Sequence, residues 1–124
     1  MKKIANILVV DDDPDIGTML KMMLEYKGYD VTLLSNAGQT EHILSNQATD
    51  IVILDMLIGG TNGTDICRSI RSNPLSTGVP VLMISALPDA RKICIDAGAT
   101  DFISKPFEME EMLAKVGSLT KTVC

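Results

Sequence analysis

The sequence predicts an α/β protein whose core is a parallel, five-stranded sheet covered by helices on both faces. Three observations carry that prediction. Short apolar runs rich in β-branched residues alternate five times with stretches of helical periodicity. Strands separated by helices need crossover connections, which make the sheet parallel and cover it. The chain has 124 residues, 46% of them hydrophobic and 22% charged, which suits one ordinary globular domain.

Each element follows from its local residues. Residues 3–10 close on Ile7, Leu8, Val9 and Val10, a buried strand. Asp13 and Pro14 then supply an N-cap and a first helical residue. Ile16, Met19, Leu20, Met23 and Leu24 repeat at helical spacing, and Gly28 stops the helix. Met19 and Met23 are read as core packing on that stripe. Residues 30–34 form a second strand, and 36–46 a modest helix with Ile43 and Leu44 inward and His42 on the surface. Residues 50–54 are a third strand running straight into Asp55. The glycines at 59, 60 and 63 mark a loop made mobile by its adjacent pair, and Thr64 caps a short helix reaching Arg71. Residues 79–84 are a fourth strand ending at Ser85, and 89–97 a helix stopped by Gly98. Residues 101–104 are a fifth strand running into Lys105 and Pro106, and Glu108 opens a final helix to about Lys121.

Composition excludes several function classes. Lys plus Arg is 11 and Asp plus Glu is 16, a net charge of −5 that repels nucleic-acid phosphates and anionic membrane. Trp is absent, with two Tyr and two Phe, too few for a base-stacking platform. Cys67, Cys94 and Cys124 form no Cys-x-x-Cys pair and lie in no ligand-like spacing with His42, so free thiols in a reducing compartment are expected. The apolar start is broken by Asn6, runs into three aspartates, and offers no cleavage site. No run approaches the ~18 apolar residues of a membrane span. A cytoplasmic domain is the expectation.

In open parallel sheets, ligands bind beyond the carboxyl ends of the strands. The first strand ends in Asp11 and Asp12, the third in Asp55, the fourth in Ser85 and the fifth in Lys105. Taken singly, such residues are ordinary helix caps, turn formers and solvated surface. Their joint placement at four strand ends is not ordinary. Clustered carboxylates need a cation between them, and an oxygen-only set suits Mg²⁺, with Mn²⁺ able to substitute. Lys105 can pair with a phosphoryl group there and Ser85 can donate a hydrogen bond to it. A carboxylate so flanked is a nucleophile towards phosphorus, giving an aspartyl phosphate.

The residues 7–14 (ILVVDDDP), 50–56 (DIVILDM), 81–86 (VLMISA), 97–99 (AGA) and 105–107 (KPF) together resemble the receiver domain of two-component response regulators. The resemblance spans essentially all of residues 1–124, as a single receiver domain with no effector domain after Lys121. It implies a flavodoxin-like (βα)5 three-layer sandwich with sheet order 2-1-3-4-5. It implies that a histidine kinase or histidine phosphotransfer domain donates phosphate to Asp55, with an output domain or downstream protein reading the result. Asp12 and Asp55 then resemble direct Mg²⁺ ligands, Asp11 reaches the ion through water, and Leu57 offers its backbone carbonyl. Ser85 matches the switch hydroxyl, Lys105 the phosphate-pairing lysine, and Phe102 the aromatic that turns inward after the switch. The Lys105–Pro106 bond is expected to be cis. Such a chain is no enzyme towards other substrates, catalysing only its own phosphorylation and slow dephosphorylation.

Two departures matter. The loop after Asp55 lacks the Met-Pro and Asp-Gly pairs usual in that family, and the segment between Ser85 and Gly98 is short. The positions two residues beyond Asp55 and Ser85, Leu57 and Leu87, cannot orient a hydrolytic water, so a long phosphate lifetime is expected. The competing readings fare worse. A phosphate-independent interaction domain would be expected to lose one of the acids or the lysine, and all are present. A flavin binder would not place three aspartates at the phosphate loop. An aspartate-based phosphatase wants an acid at position 57.

Overall fold

The computed structural model describes residues 4–120. Five strands, β1 (Asn6–Val10), β2 (Asp30–Leu34), β3 (Ile51–Asp55), β4 (Val81–Ser85) and β5 (Asp101–Ser104), form one parallel sheet of order 2-1-3-4-5. Helices α1 (Pro14–Tyr26), α2 (Thr40–Asn46), α3 (Gly63–Ser72), α4 (Ala90–Asp96) and α5 (Met109–Thr120) provide the crossovers. A 3₁₀ turn, Ala37–Gln39, precedes α2. The Lys105–Pro106 peptide is cis, as the resemblance implies.

Strand periodicity divides the core in two. Ile7, Val9, Ile51, Ile53, Leu82, Ile84 and Ile103 face one side, where Leu20 and Leu24 of α1 and Met112 and Val116 of α5 cover them. Their alternates Leu8, Val10, Val52, Leu54, Val81, Met83 and Phe102 face the other, under Leu44 of α2, Ile66, Cys67 and Ile70 of α3, and Ala90 and Cys94 of α4. Because both faces are covered, the central strands β1, β3 and β4 carry apolar residues at consecutive rather than alternate positions. Cys67 and Cys94 are free, as expected, and burial pushes both thiols up, Cys94 to about 11. Cys124 lies outside the described residues.

Three local expectations are corrected. The segment after Asp55 is a small antiparallel hairpin, Leu57–Ile58 against Thr61–Asn62. Its glycine pair supplies the two positive φ values, 52° and 83°, that a two-residue turn matching strand twist requires. Thr64 does not cap α3: the cap is Asn62, whose side-chain oxygen accepts from the Thr64 N–H at 3.0 Å and its hydroxyl at 2.6 Å. Met19 is 38% exposed rather than packed, since Gly17, Leu20 and Leu24 hold the buried line of α1.

At the C-terminal end of α3, Arg71 binds the carbonyls of Gly98 (2.7 Å), Val79 (2.5 Å) and Thr77 (3.0 Å) and the Thr100 hydroxyl (3.1 Å). The guanidinium thereby ties α3 to the connections that lead into β4 and into β5.

Gly63 and Gly117 separate two roles of glycine. A Cβ at Gly63 would overlap the Asp55 carbonyl oxygen and stand 2.9 Å from Met56 Cα, both backbone atoms that cannot yield. Gly117 on α5 has open space instead. We expect Gly63→Ala to lower stability by about 2–3 kcal/mol through overpacking. Gly117→Ala should raise it by about 0.5–1 kcal/mol through helix propensity. Urea denaturation of both variants checks the signs; equal effects would contradict the packing at Gly63.

Candidate functional site

The sheet places its polar residues at one edge because each strand stops where its apolar run stops. The connection from β1 runs to β2 on one side and the connection from β3 runs to β4 on the other, so a crevice opens at the carboxyl ends of β1 and β3. Asp11 follows Val10 into this crevice, and Asp55 is the last residue of β3. Ser85 is the last of β4, and Lys105 lies just beyond β5.

One oxygen from each of Asp11, Asp12 and Asp55 lies within 4.8 Å of the others. Asp55 is buried, and its Oδ2 takes the Lys105 ammonium at 2.7 Å. Its Oδ1 accepts the Leu57 N–H at 3.1 Å. Asp12 is exposed, and its Oδ2 accepts the Gly59 N–H at 2.6 Å. Asp11 is 2% exposed; Oδ1 accepts the Asp13 N–H at 2.9 Å, while Oδ2 has no hydrogen-bond partner among the described residues. Burial, above all, pushes the Asp11 carboxyl up to about 6, with the neighbouring Asp55 charge adding to the rise. The Asp13 N–H and the Lys105 charge act against it.

The donor set fits a divalent cation. Fully ionised, three carboxylates and one ammonium carry −3 + 1 = −2, the charge one such ion neutralises. The partnerless Asp11 oxygen is a buried polar atom that a cation or its water would satisfy. Leu57 and Asn62 face each other in the hairpin next to the bonded pair Ile58 and Thr61. Antiparallel alternation therefore leaves the Leu57 N–H and carbonyl outside the ladder, the N–H already on Asp55.

The remaining expected residues are also here, in modified roles. Ser85 is 3% exposed and its Oγ accepts the Leu87 N–H at 3.0 Å, leaving the hydroxyl proton for another acceptor. Leu57 and Leu87 thus touch the reactive side chains through their backbones, while their side chains are 59% and 46% exposed. Phe102 is already inside, among Met83, Ala90 and Cys94, in the place expected of it only after switching. His42 is a surface residue, as expected. Sequence reasoning missed the Gly59 N–H on Asp12. The signal was there: a glycine pair between Ile58 and Thr61 is a hairpin turn, and such a turn has a spare N–H.

Comparison with known proteins agrees with this geometry. The family model for the response regulator receiver domain matches residues 7–117. The chain is 36% identical over 112 residues to the DNA-binding response regulator MtrA of Mycolicibacterium smegmatis, covering 89% of this chain and 48% of that protein. It is 35% identical over 117 residues to the DNA-binding dual master transcriptional regulator RpaA of Synechocystis, covering 93% of this chain and 48% of that protein. It therefore spans about half the length of these regulators. A response regulator structure from Chloroflexus aurantiacus superposes with TM-score 0.90 at 31% identity, covering 96% of this chain and 99% of that one. The receiver domain of the sensor histidine kinase PA1611 from Pseudomonas aeruginosa, solved with magnesium in its active-site cleft, superposes with TM-score 0.87 at 28% identity, covering 96% and 99%. From its motifs, its sheet order and these matches, the chain belongs to the response regulator receiver domain family.

Proposed function

We propose that this domain is a two-component signalling switch in which Asp55 accepts a phosphoryl group from a phosphohistidine on a histidine kinase or histidine phosphotransfer domain. The observation that carries the reading is the Lys105 ammonium 2.7 Å from an Asp55 carboxylate that also stands within 4.8 Å of Asp11 and Asp12 oxygens. An Asp55 oxygen attacks phosphorus, the phosphorus–nitrogen bond breaks, and the imidazole leaves with the electron pair. Asp12, Asp55 and the Leu57 carbonyl would hold Mg²⁺, with Asp11 acting through water. The ion supplies charge neutralisation for the transferring oxygens.

The chain's own groups do the rest. Lys105 exchanges its Asp55 oxygen for a phosphoryl oxygen, and Ser85 donates its hydroxyl proton to another. Ser85 Oγ accepts the Leu87 N–H, so a movement of Ser85 towards the phosphoryl group pulls on the start of the segment leading to α4. On the face of α4, β5 and α5, Asp101 bridges Arg91 at 3.8 Å and Lys115 at 3.2 Å. A shift of α4 strains that bridge, so the charge pattern of this face changes with phosphorylation. Met19, Ile16, Ala86, Pro106 and Phe107 line an apolar groove beside Lys105. The groove accounts for Met19 being exposed: it is a seat for the donor's imidazole-bearing surface. The domain is no enzyme towards other substrates. It belongs in the cytoplasm beside its kinase, and among the described residues no helix is long and apolar enough to cross a membrane.

Incubation with a small-molecule phosphodonor and Mg²⁺ should add one phosphoryl mass to the chain and none to Asp55→Asn. An adduct that persists in Asp55→Asn would place the acceptor elsewhere.

Cation affinity should fall with acid. The Asp11 carboxyl, raised to about 6, takes a proton before it accepts positive charge nearby. Below about pH 6 the apparent affinity for Mn²⁺ should drop, and above it level off. In Asp11→Asn the fall should shift to lower pH, which titration at several pH values will show.

Phosphorylated protein should decay slowly in Mg²⁺, because Leu57 and Leu87 offer no side-chain group to hold a water in line. Leu57→Asn combined with Leu87→Glu should speed decay by on the order of 10²-fold. An unchanged rate makes the two leucines bystanders.

A further inference from the structure

Gly59 is the first residue of the two-residue hairpin turn, with a φ of 52°. In such a turn the flanking residues, here Ile58 and Thr61, exchange the ladder bonds, so the first turn residue keeps a spare N–H. That N–H reaches across 47 residues of sequence to Asp12 Oδ2 at 2.6 Å. Asp12 is an exposed acid on the β1–α1 connection, otherwise free to sample rotamers. A carboxylate with one oxygen so held keeps the other for a second partner.

Resting on the cation site argued above, we propose that the Gly59 N–H is a positioning group for it. It fixes the Asp12 carboxylate before the ion arrives, so that ion binding and closure of the hairpin on the β1–α1 connection strengthen each other. Carboxylates that hold cations are generally hydrogen-bonded in this way, and losing such a partner costs roughly 10–100-fold in affinity. Reciprocity follows: whatever the bond contributes to ion binding, the ion contributes to the bond. Glycine serves the position twice, since proline would offer neither the N–H nor the left-handed φ. The packing imposes no further demand, because a Cβ at 59 would stand an ordinary 3.7 Å from Asp12 Oδ2.

The test has two arms. In the first, amide hydrogen exchange of Gly59 is followed by NMR on the wild-type chain with and without saturating Mg²⁺. Exchange should slow several-fold with the ion; unchanged or faster exchange overturns the proposal, since the bond would then be indifferent to the ion or compete with it. In the second, Mg²⁺ is titrated into wild type, Gly59→Asn and Gly59→Pro. Asn keeps the N–H and tolerates the turn conformation, so its affinity should stay within about twofold of wild type. Pro should bind about tenfold more weakly. Equal affinities in all three, or equal losses in both variants, overturn the role of the N–H. A wild-type chain that binds neither Mg²⁺ nor Mn²⁺ overturns the cation site itself, and this inference with it.

Discussion

Like charges held close together at the edge of a buried sheet are the constraint on which this structure depends. Asp11 and Asp55 are both buried, and Asp12 brings a third carboxylate within 4.8 Å. In water, three free aspartates would spread apart. Here the backbone denies them that freedom, because each is attached to a strand or turn fixed by its own apolar run. Lys105 removes one charge of the three. Of the remaining two, a proton on Asp11, whose affinity for it is raised, removes one, and a divalent cation would meet both. The site thus suits an ion that is small, doubly positive and content with oxygen ligands.

Strand placement explains why the surrounding groups sit where they do. β3 and β4 are apolar on both faces, so neither can carry a polar residue before its last position. Asp55 and Ser85 are those last positions. Lys105 is drawn in from beyond β5, and the Lys105 N–H to the Ser85 carbonyl at 2.8 Å keeps that connection beside β4. One hydrophobic rule therefore positions both the core and the chemistry. It also ties activity to stability, since a slip of one residue along β3 would turn Asp55 away from the crevice.

The same rule decides how much was legible in the sequence. Strands whose apolar runs end abruptly were readable almost to the residue: β2 and β5 coincide with their expected ranges, and β3 is shifted by one residue at each end. The reactive side chains were readable because they terminate those runs. What escaped reading was set by backbone geometry rather than side-chain type. The hairpin after Asp55 has arms of two residues each, too short to show periodicity, and only the glycine pair hints at it. Asn62 and Thr64 are both good caps, and only the chain direction at Gly63 decides between them. Met19 shared a helical stripe with Leu20 but falls at its margin, where a groove opens beside Lys105. Phe102 was correctly assigned to β5, yet which way a ring turns depends on the neighbours of its face.

Leu57 and Leu87 show how one residue can hold two separable roles. Each gives its N–H to a side chain of the crevice, Leu57 to Asp55 and Leu87 to Ser85, and so helps fix the carboxylate and the hydroxyl. Any residue except proline can supply that N–H. The side chains meanwhile are half exposed and stand outside the buried core. The alignment of the site is thus secured by atoms common to nearly all residues. The surface above Asp55 is set by atoms that can vary without disturbing it. Substitutions at 57 and 87 can thus change the surface above Asp55 while the Asp55 carboxylate, the neighbouring acids and the core stay in place.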